Sequence, residues 1–227
     1  MESNPDLRIC GLRLFVVQQR CMVGNGEMIT VIDYKAGNLT SVLKTLRHLG
    51  AETIVTDSDI SLVESAERIV LPGVGHFAAT ERLDATGLNT AIRAAIARGV
   101  PFLGICVGMQ WLYAGSTEAP QQPGLGHFAG QCTRFTEGTE KIPHVGWNSL
   151  EARGDSPLLK NVEAGEFVYF THSYKGPVTA DTAAVTQYIE PFAAVVARGN
   201  VMGVQFHPEK SGETGLKILR NFLELSC

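Results

Sequence analysis

Phe102-Leu103-Gly104-Ile105-Cys106-Val107-Gly108 is a short apolar run that ends on a cysteine held between two glycines. Residues 102–105 are continuously apolar and of strand length, the pattern of a strand covered on both faces. Glycines two before and two after the cysteine allow a tight strand-to-helix turn that lifts the middle side chain above the sheet edge. The sulfur then sits at a helix N-terminus, whose partial positive charge favours an anion. A buried structural cysteine beside two packing glycines reads equally well from this stretch alone.

Working outward, the same alternation recurs. Ile29 to Ile32 is a strand, followed by a helix whose stripe is Leu39, Val42, Leu43, Leu46 and Leu49, with Asn38 placed to cap it and Gly50 to end it. Thr53 to Thr56 and Arg68 to Leu71 are further strands, the second closed by the turn Pro72-Gly73-Val74-Gly75. Leu88, Ile92, Ala95 and Ile96 line one helix face that Gly99 and Pro101 stop just before residue 102. Apolar strands separated by helices predict an α/β fold with a largely parallel sheet covered on both faces. Beyond about residue 126 the chain turns strand-rich: Phe167 to Phe170, Ala183 to Ile189, Phe192 to Ala197 and Val201 to Phe206, with Gly199-Asn200 as a hairpin signal. A last helix carries Leu216, Leu219, Phe222 and Leu223.

The totals set limits on function. A chain of 227 residues with 44% apolar and 19% charged residues is long enough to bury a substantial core. Its formal net charge of −4, without any Lys/Arg run, argues against nucleic acid as a partner. No stretch approaches the roughly 18–20 apolar residues of a membrane helix. The five cysteines, Cys10, Cys21, Cys106, Cys132 and Cys227, are scattered and odd in number, which fits a reducing cytoplasm better than a disulfide framework. Residues 1–27 read as a loosely ordered extension, or as a start placed too early with Met28 the true beginning. Arg13 interrupts their apolar run, and Glu2 and Asp6 spoil a transit-peptide pattern. Residues 28–227 read as one α/β domain.

A second motif, Gly203-Val204-Gln205-Phe206-His207-Pro208-Glu209, ends an apolar strand with a histidine and a glutamate two residues apart. Side chains at i and i+2 of an extended segment point the same way, and the intervening proline keeps His207 extended. Glu209 can then bind one ring nitrogen while the other faces a sulfur; an exposed histidine beside a solvated glutamate is the competing reading. The third motif is the Pro72–Gly75 turn, again at a strand end, where ligand sites of such sheets gather. A glycine turn can aim a backbone N–H at a substrate oxygen, although most such turns are only turns. His48, His76, His127 and His144 show no ligand spacing, His48 reading as solvent-facing, and no phosphate loop is present, so neither a metal nor an organic cofactor is expected.

Taken together, Gly104-Ile-Cys106-Val-Gly108-Met-Gln110 and Val204-Gln-Phe206-His207-Pro-Glu209-Lys210-Ser211 resemble the class I (triad) glutamine amidotransferases. Lys141-Ile-Pro143-His144-Val-Gly-Trp147-Asn148, with Asp33-Tyr34, Gly37-Asn38 and Pro72–Gly75, looks like the glutaminase subunits of imidazole glycerol phosphate synthases. The resemblance runs from about Met28 to the C-terminus and is looser at Lys35-Ala36. It implies a flavodoxin-like sheet with antiparallel additions in the second half. It also implies that Cys106, His207 and Glu209 form a catalytic triad for hydrolysis of L-glutamine, with an oxyanion hole from the N–H of Val107 and of the Gly73-Val74 turn. Gly75, Gln110, Glu118, Ser173 and Tyr174 match the substrate pocket. For Glu118 a solvated loop charge, and for Ser173-Tyr174 a core or surface role, remain alternatives. The implied partner is a cyclase subunit, a (β/α)8 barrel, forming a heterodimer through His144, Trp147, Asn148 and Lys210; a core position for Trp147 is the alternative. Rival readings are the glutaminase of a chorismate-using synthase, against which Met109 beside Gln110 argues, a non-catalytic subunit, and a cysteine hydrolase of another amide.

Overall fold

The computed structural model describes residues 28–36, 39–138 and 140–225. The extension at residues 1–27 and the expected cap Asn38 lie outside the described residues.

Five strands make the parallel part of the fold: β1 (Met28–Ile32), β2 (Glu52–Thr56) at the edge, β3 (Arg68–Gly73), β4 (Phe102–Cys106) and, far along the chain, β12 (Val201–Val204). β3, β4 and β12 are buried at every residue, as continuous apolar runs require when helices cover both faces. Between them run α1 (Leu39–His48), α2 (Ile60–Glu64), α3 (Glu81–Ala85), α4 (Leu88–Ala97) and α5 (Val107–Trp111). On α1, Val42 and Leu46 are fully inside and Leu39, Leu43 and Leu49 lean on the core, so the whole expected stripe faces the sheet. Gly50 ends that helix at φ 88, the left-handed conformation that glycine adopts without cost. α4 buries Leu88, Ala91, Ile92 and Ala95.

The second half supplies β5 (Thr133–Arg134), β6 (His144–Ser149), β7 (Glu151–Ala152), β8 (Phe167–His172), β9 (Tyr174–Lys175), β10 (Thr182–Gln187) and β11 (Pro191–Arg198), then α6 (Gly212–Leu223). One eight-stranded sheet has the order β2-β1-β3-β4-β12-β11-β10-β7. Its pairs are parallel from β2 to β12 and antiparallel from β12 to β7. β6 and β8 form a separate antiparallel pair, as do β5 and β9.

Three placements differ from the sequence reading. The ladder of β3 continues through Pro72 and Gly73, which pair with Ile105 and Cys106, so the expected turn begins two residues later. β12 ends at Val204, leaving Gln205 and Phe206 in a bend that leads to His207. Residues 144–149, to which the sequence reading assigned no strand, form one whose alternation Gly146 obscures.

β4 has β3 on one side and β12 on the other, both parallel to it. The C-terminal ends of all three therefore lie side by side, where open α/β sheets bind ligands.

A candidate active site at three strand ends

The turn after β4 is strained in a specific way. Cys106 stands at φ 54, ψ −109, a region few non-glycine residues occupy, and α5 begins at the next residue. The flanking glycines are required by close approach. A Cβ on Gly104 would sit 2.5 Å from the carbonyl oxygen of Gly108, and one on Gly108 would run into the carbonyl of Leu71. Strand, turn and helix thus press backbone against backbone, and the cysteine takes the strain with its side chain at the sheet edge. Among the described residues the other cysteine, Cys132, is a different kind of thiol. It is wholly buried, burial pushes its pKa up, and its Sγ lies 3.8 Å from the Gln110 carbonyl oxygen.

His207 follows β12, its backbone N–H donating to the Tyr169 carbonyl at 2.9 Å. Its Nδ1 lies 2.8 Å from Oε1 of Glu209, and both side chains are almost fully buried. A carboxylate accepts, so Nδ1 carries the proton and Nε2 is the free edge of the ring. The hydroxyl of Ser211 donates to the His207 carbonyl at 2.6 Å and accepts from the Tyr169 N–H at 2.9 Å, bracing the loop from behind. Burial disfavours the imidazolium, but the neighbouring Cys106 and Glu209 outweigh it and raise the His207 pKa to about 10. Nε2 makes no hydrogen bond of good geometry here, although the sulfur is close enough to shape its titration.

A cleft opens over Cys106 and Val107. Gly75, Gln110, Glu118, Ser173 and Tyr174 all line it, joined by Pro143, Thr171 and His172, which the sequence reading did not assign to the cleft. Glu118 is no free loop charge: its Oε2 accepts the Phe77 N–H at 2.7 Å. Gln110 is buried, and its amide nitrogen donates to the Tyr174 carbonyl at 2.9 Å and to Oε1 of Gln205 at 3.2 Å. On the β3 side, Gly73 is paired to Cys106, while the N–H of Val74 donates to the Ala36 carbonyl at 3.1 Å and so is turned away from the cleft. Tyr34, buried against Gly73, has its phenol pushed above its ordinary range by burial and then by Cys106.

The four residues expected at a partner face separate into two groups. In the β6–β8 pair, alternate residues point to opposite sides. Val145, Trp147 and Phe167 are each more than half exposed, and Trp147 meets the Tyr169 ring edge-on at 6.0 Å. The ammonium of Lys210 lies 5.9 Å over that same Tyr169 ring. His144 is on the other face, 3% exposed and stacked between Tyr188 and Phe170, so it presents nothing to a surface. Asn148 is half-buried and donates its amide to the Gln187 carbonyl. The pattern His144-Val145-Gly146-Trp147-Asn148 already alternates in sequence, and that signal places His144 opposite Trp147.

Comparison with known proteins gives the family. The family described as "Glutamine amidotransferase class-I" matches residues 30–225. Imidazole glycerol phosphate synthase subunit HisH of Caldanaerobacter subterraneus is 47% identical over 201 residues, covering 87% of this chain and 98% of its own. The protein of the same name from Deinococcus radiodurans is 46% identical over 198 residues, covering 86% and 92%. Among solved structures, PurLQS from Thermotoga maritima superposes with a TM-score of 0.67 at 23% identity, over 87% of this chain and 98% of that one, a likeness of fold. The chain belongs to the class I glutamine amidotransferases and, within them, to the HisH family.

Proposed function

We propose that this chain is the glutaminase subunit of an imidazole glycerol phosphate synthase. It hydrolyses L-glutamine to glutamate and ammonia and passes the ammonia to a (β/α)8-barrel cyclase for histidine biosynthesis. The observation that carries the reading is the buried His207–Glu209 pair at 2.8 Å, set beside a cysteine on a strained strand-to-helix turn.

The chemistry follows from the groups present. The sulfur of Cys106, its proton held by His207, attacks the side-chain amide carbon of glutamine and the carbonyl pair moves onto oxygen. His207 delivers the proton to the amide nitrogen, the C–N bond breaks, and ammonia leaves a thioester. Water, deprotonated by the same ring, adds to the thioester; the sulfur departs and glutamate is released. Glu209 keeps Nδ1 protonated and stabilises the imidazolium. Glu118, Gln110, Ser173 and Tyr174 wall the cleft in which the amino-acid end of glutamine lies.

The oxyanion needs N–H donors, and Val107 at the start of α5 is well placed to give one. The Val74 N–H is spent on Ala36 in this conformation. Activation by the cyclase is therefore read as a rearrangement of the residue 72–75 turn that frees this donor, worth about 2.7–4 kcal/mol in the barrier. The docking face is the exposed side of β6–β8, with Trp147 as anchor and Lys210 beside it, giving a cytoplasmic heterodimer.

Glutamate release should be measured with and without a cognate cyclase and its nucleotide ligand. Strong stimulation, abolished in Cys106→Ala, is expected. Turnover that ignores the cyclase but responds to a chorismate-using synthase would overturn the choice of partner, and turnover surviving in Cys106→Ala would overturn the chemistry.

A further inference from the structure

The glutaminase reading leaves two buried histidines without a task. His144 and His172 are direct partners across β6 and β8, with Nδ1 of His144 3.2 Å from Nε2 of His172. Nδ1 of His172 lies 2.9 Å from the Tyr174 carbonyl oxygen. At the outer end, Nδ2 of Asn148 is 3.4 Å from Nε2 of His144 and 2.9 Å from the Gln187 carbonyl. At the inner end, the Tyr174 carbonyl also receives Gln110, Gln110 reaches Oε1 of Gln205, and Nε2 of Gln205 lies 3.7 Å from Sγ of Cys106.

Backbone carbonyls fix every proton along this line. A carbonyl oxygen only accepts, so both nitrogens at Tyr174 donate. His172 therefore carries its proton on Nδ1 and accepts at Nε2. His144 must donate from Nδ1 and accept at Nε2, which the Asn148 amide, already donating to Gln187, supplies. By the same logic Gln110 turns its amide nitrogen to Tyr174 and to the oxygen of Gln205, and the nitrogen of Gln205 is left facing the sulfur. Both rings must be neutral for this, and burial supplies the cause: it lowers His144 to about 4 and His172 to about 3. Gln205 is fully buried, so its donor has no solvent to turn to.

We propose that Gln205 is a positioning residue for the Cys106 sulfur, and that two hydrogen-bonded arms meeting at the Tyr174 carbonyl, Asn148–His144–His172 on one side and Gln110–Gln205 on the other, tie the sulfur's orientation to the seating of β6. An N–H aimed at sulfur favours its anionic form and fixes its direction, and the carbonyl shared by His172 and Gln110 couples the two arms through its position. The exposed residues Val145 and Trp147 lie on the opposite face of the same strand, so anything that moves β6 acts on this network. The inference rests on the glutaminase reading for the reaction that Cys106 performs.

The test is the rate of Cys106 alkylation, read on its peptide by mass spectrometry, in the full chain with and without cyclase. Iodoacetamide reports the sulfur alone, and an electrophilic glutamine analogue reports the sulfur with the substrate cleft. Gln205→Met should slow both reactions about tenfold or more, the scale of a hydrogen bond to a charged group. Gln205→Glu keeps the acceptor for Gln110 but sets a carboxylate against the sulfur; it should slow them further, and it serves if the methionine variant fails to fold. His172→Leu should also be slow, and His172→Asn, which retains a donor near the Nδ1 position, should recover most of the rate. The double variant Gln205→Met/His144→Phe should lie within about threefold of its slower parent, as members of one network do. Unchanged alkylation in a folded Gln205 variant, or independent multiplication of the two effects, would overturn the proposal. Wild-type alkylation by iodoacetamide but not by the glutamine analogue would instead defeat the glutaminase reading, with the iodoacetamide series still deciding the role of Gln205.

Discussion

The strained backbone of Cys106 costs on the order of 1–3 kcal/mol, and the packing of its two glycines is what holds it. Replacing Gly108 by alanine drives a methyl into the carbonyl of Leu71, which is backbone and cannot swing aside. A loss of about 1–3 kcal/mol in stability is expected, read by thermal unfolding, together with a large fall in Cys106 alkylation as the elbow opens. The histidines predict how stability depends on pH. His144 and His172 titrate below their unfolded value of 6.5 in the fold, so their contribution is complete above that pH and is lost as pH falls toward 4 and 3. His207 is raised to about 10, so its contribution is complete below 6.5 and is lost as pH climbs toward 10. Urea midpoints should therefore fall on both sides of neutrality, with His172→Asn flattening the acid limb and His207→Gln the alkaline one. The close approach of Cys106 and His207 could be anticipated because strand ends collect at one sheet edge. Gln205 could not, since its partners Gln110 and Cys106 lie 95 and 99 residues away in sequence and nothing local marks it as a donor to sulfur.

Among the elements, the β6–β8 pair separates two environments across a single layer. One face stacks His144 between aromatic rings, and the other exposes Val145, Trp147 and Phe167, large apolar side chains of the kind found where proteins associate. Trp147→Ala should weaken cyclase binding by about 2 kcal/mol, roughly thirtyfold in Kd by calorimetry, with little change in thermal stability because the indole is mostly solvent-exposed in the free chain. Strands with continuous apolar runs, such as β4, and helices with a full stripe, such as α1, were legible from residue order. α2 and α3 were not, because five residues span less than two turns and show no period. β6 was missed for another reason: half its residues serve a surface, and Gly146 in its middle weakens the strand signal.

At the scale of the molecule, a parallel half and an antiparallel half share one sheet and one continuous core. α6 locks the later segments in place: the Asn221 amide donates to the carbonyls of Leu158 and Lys160, at 3.0 and 2.7 Å, while Lys217 pairs with Glu166 at 2.7 Å. Asn221→Ala strands two carbonyls and should cost about 1–3 kcal/mol in denaturant unfolding, with the Cys106 alkylation rate kept at temperatures below the transition. The overall α/β plan was readable because covered parallel strands impose a composition; the point at which pairing changes direction was not, because it depends on β12 inserting between β4 and β11. That insertion has a consequence for assembly of the site. The strand that closes the sheet comes after both of its neighbours in the chain, so β4 and β11 each have an unpaired edge until residues 201–204 dock between them. His207, the base of the proposed reaction, follows the same strand three residues on. Cys106 and His207, which the proposed reaction needs together, therefore meet only once β12 is seated, and a chain whose sheet is still open at that point is expected to leave glutamine untouched.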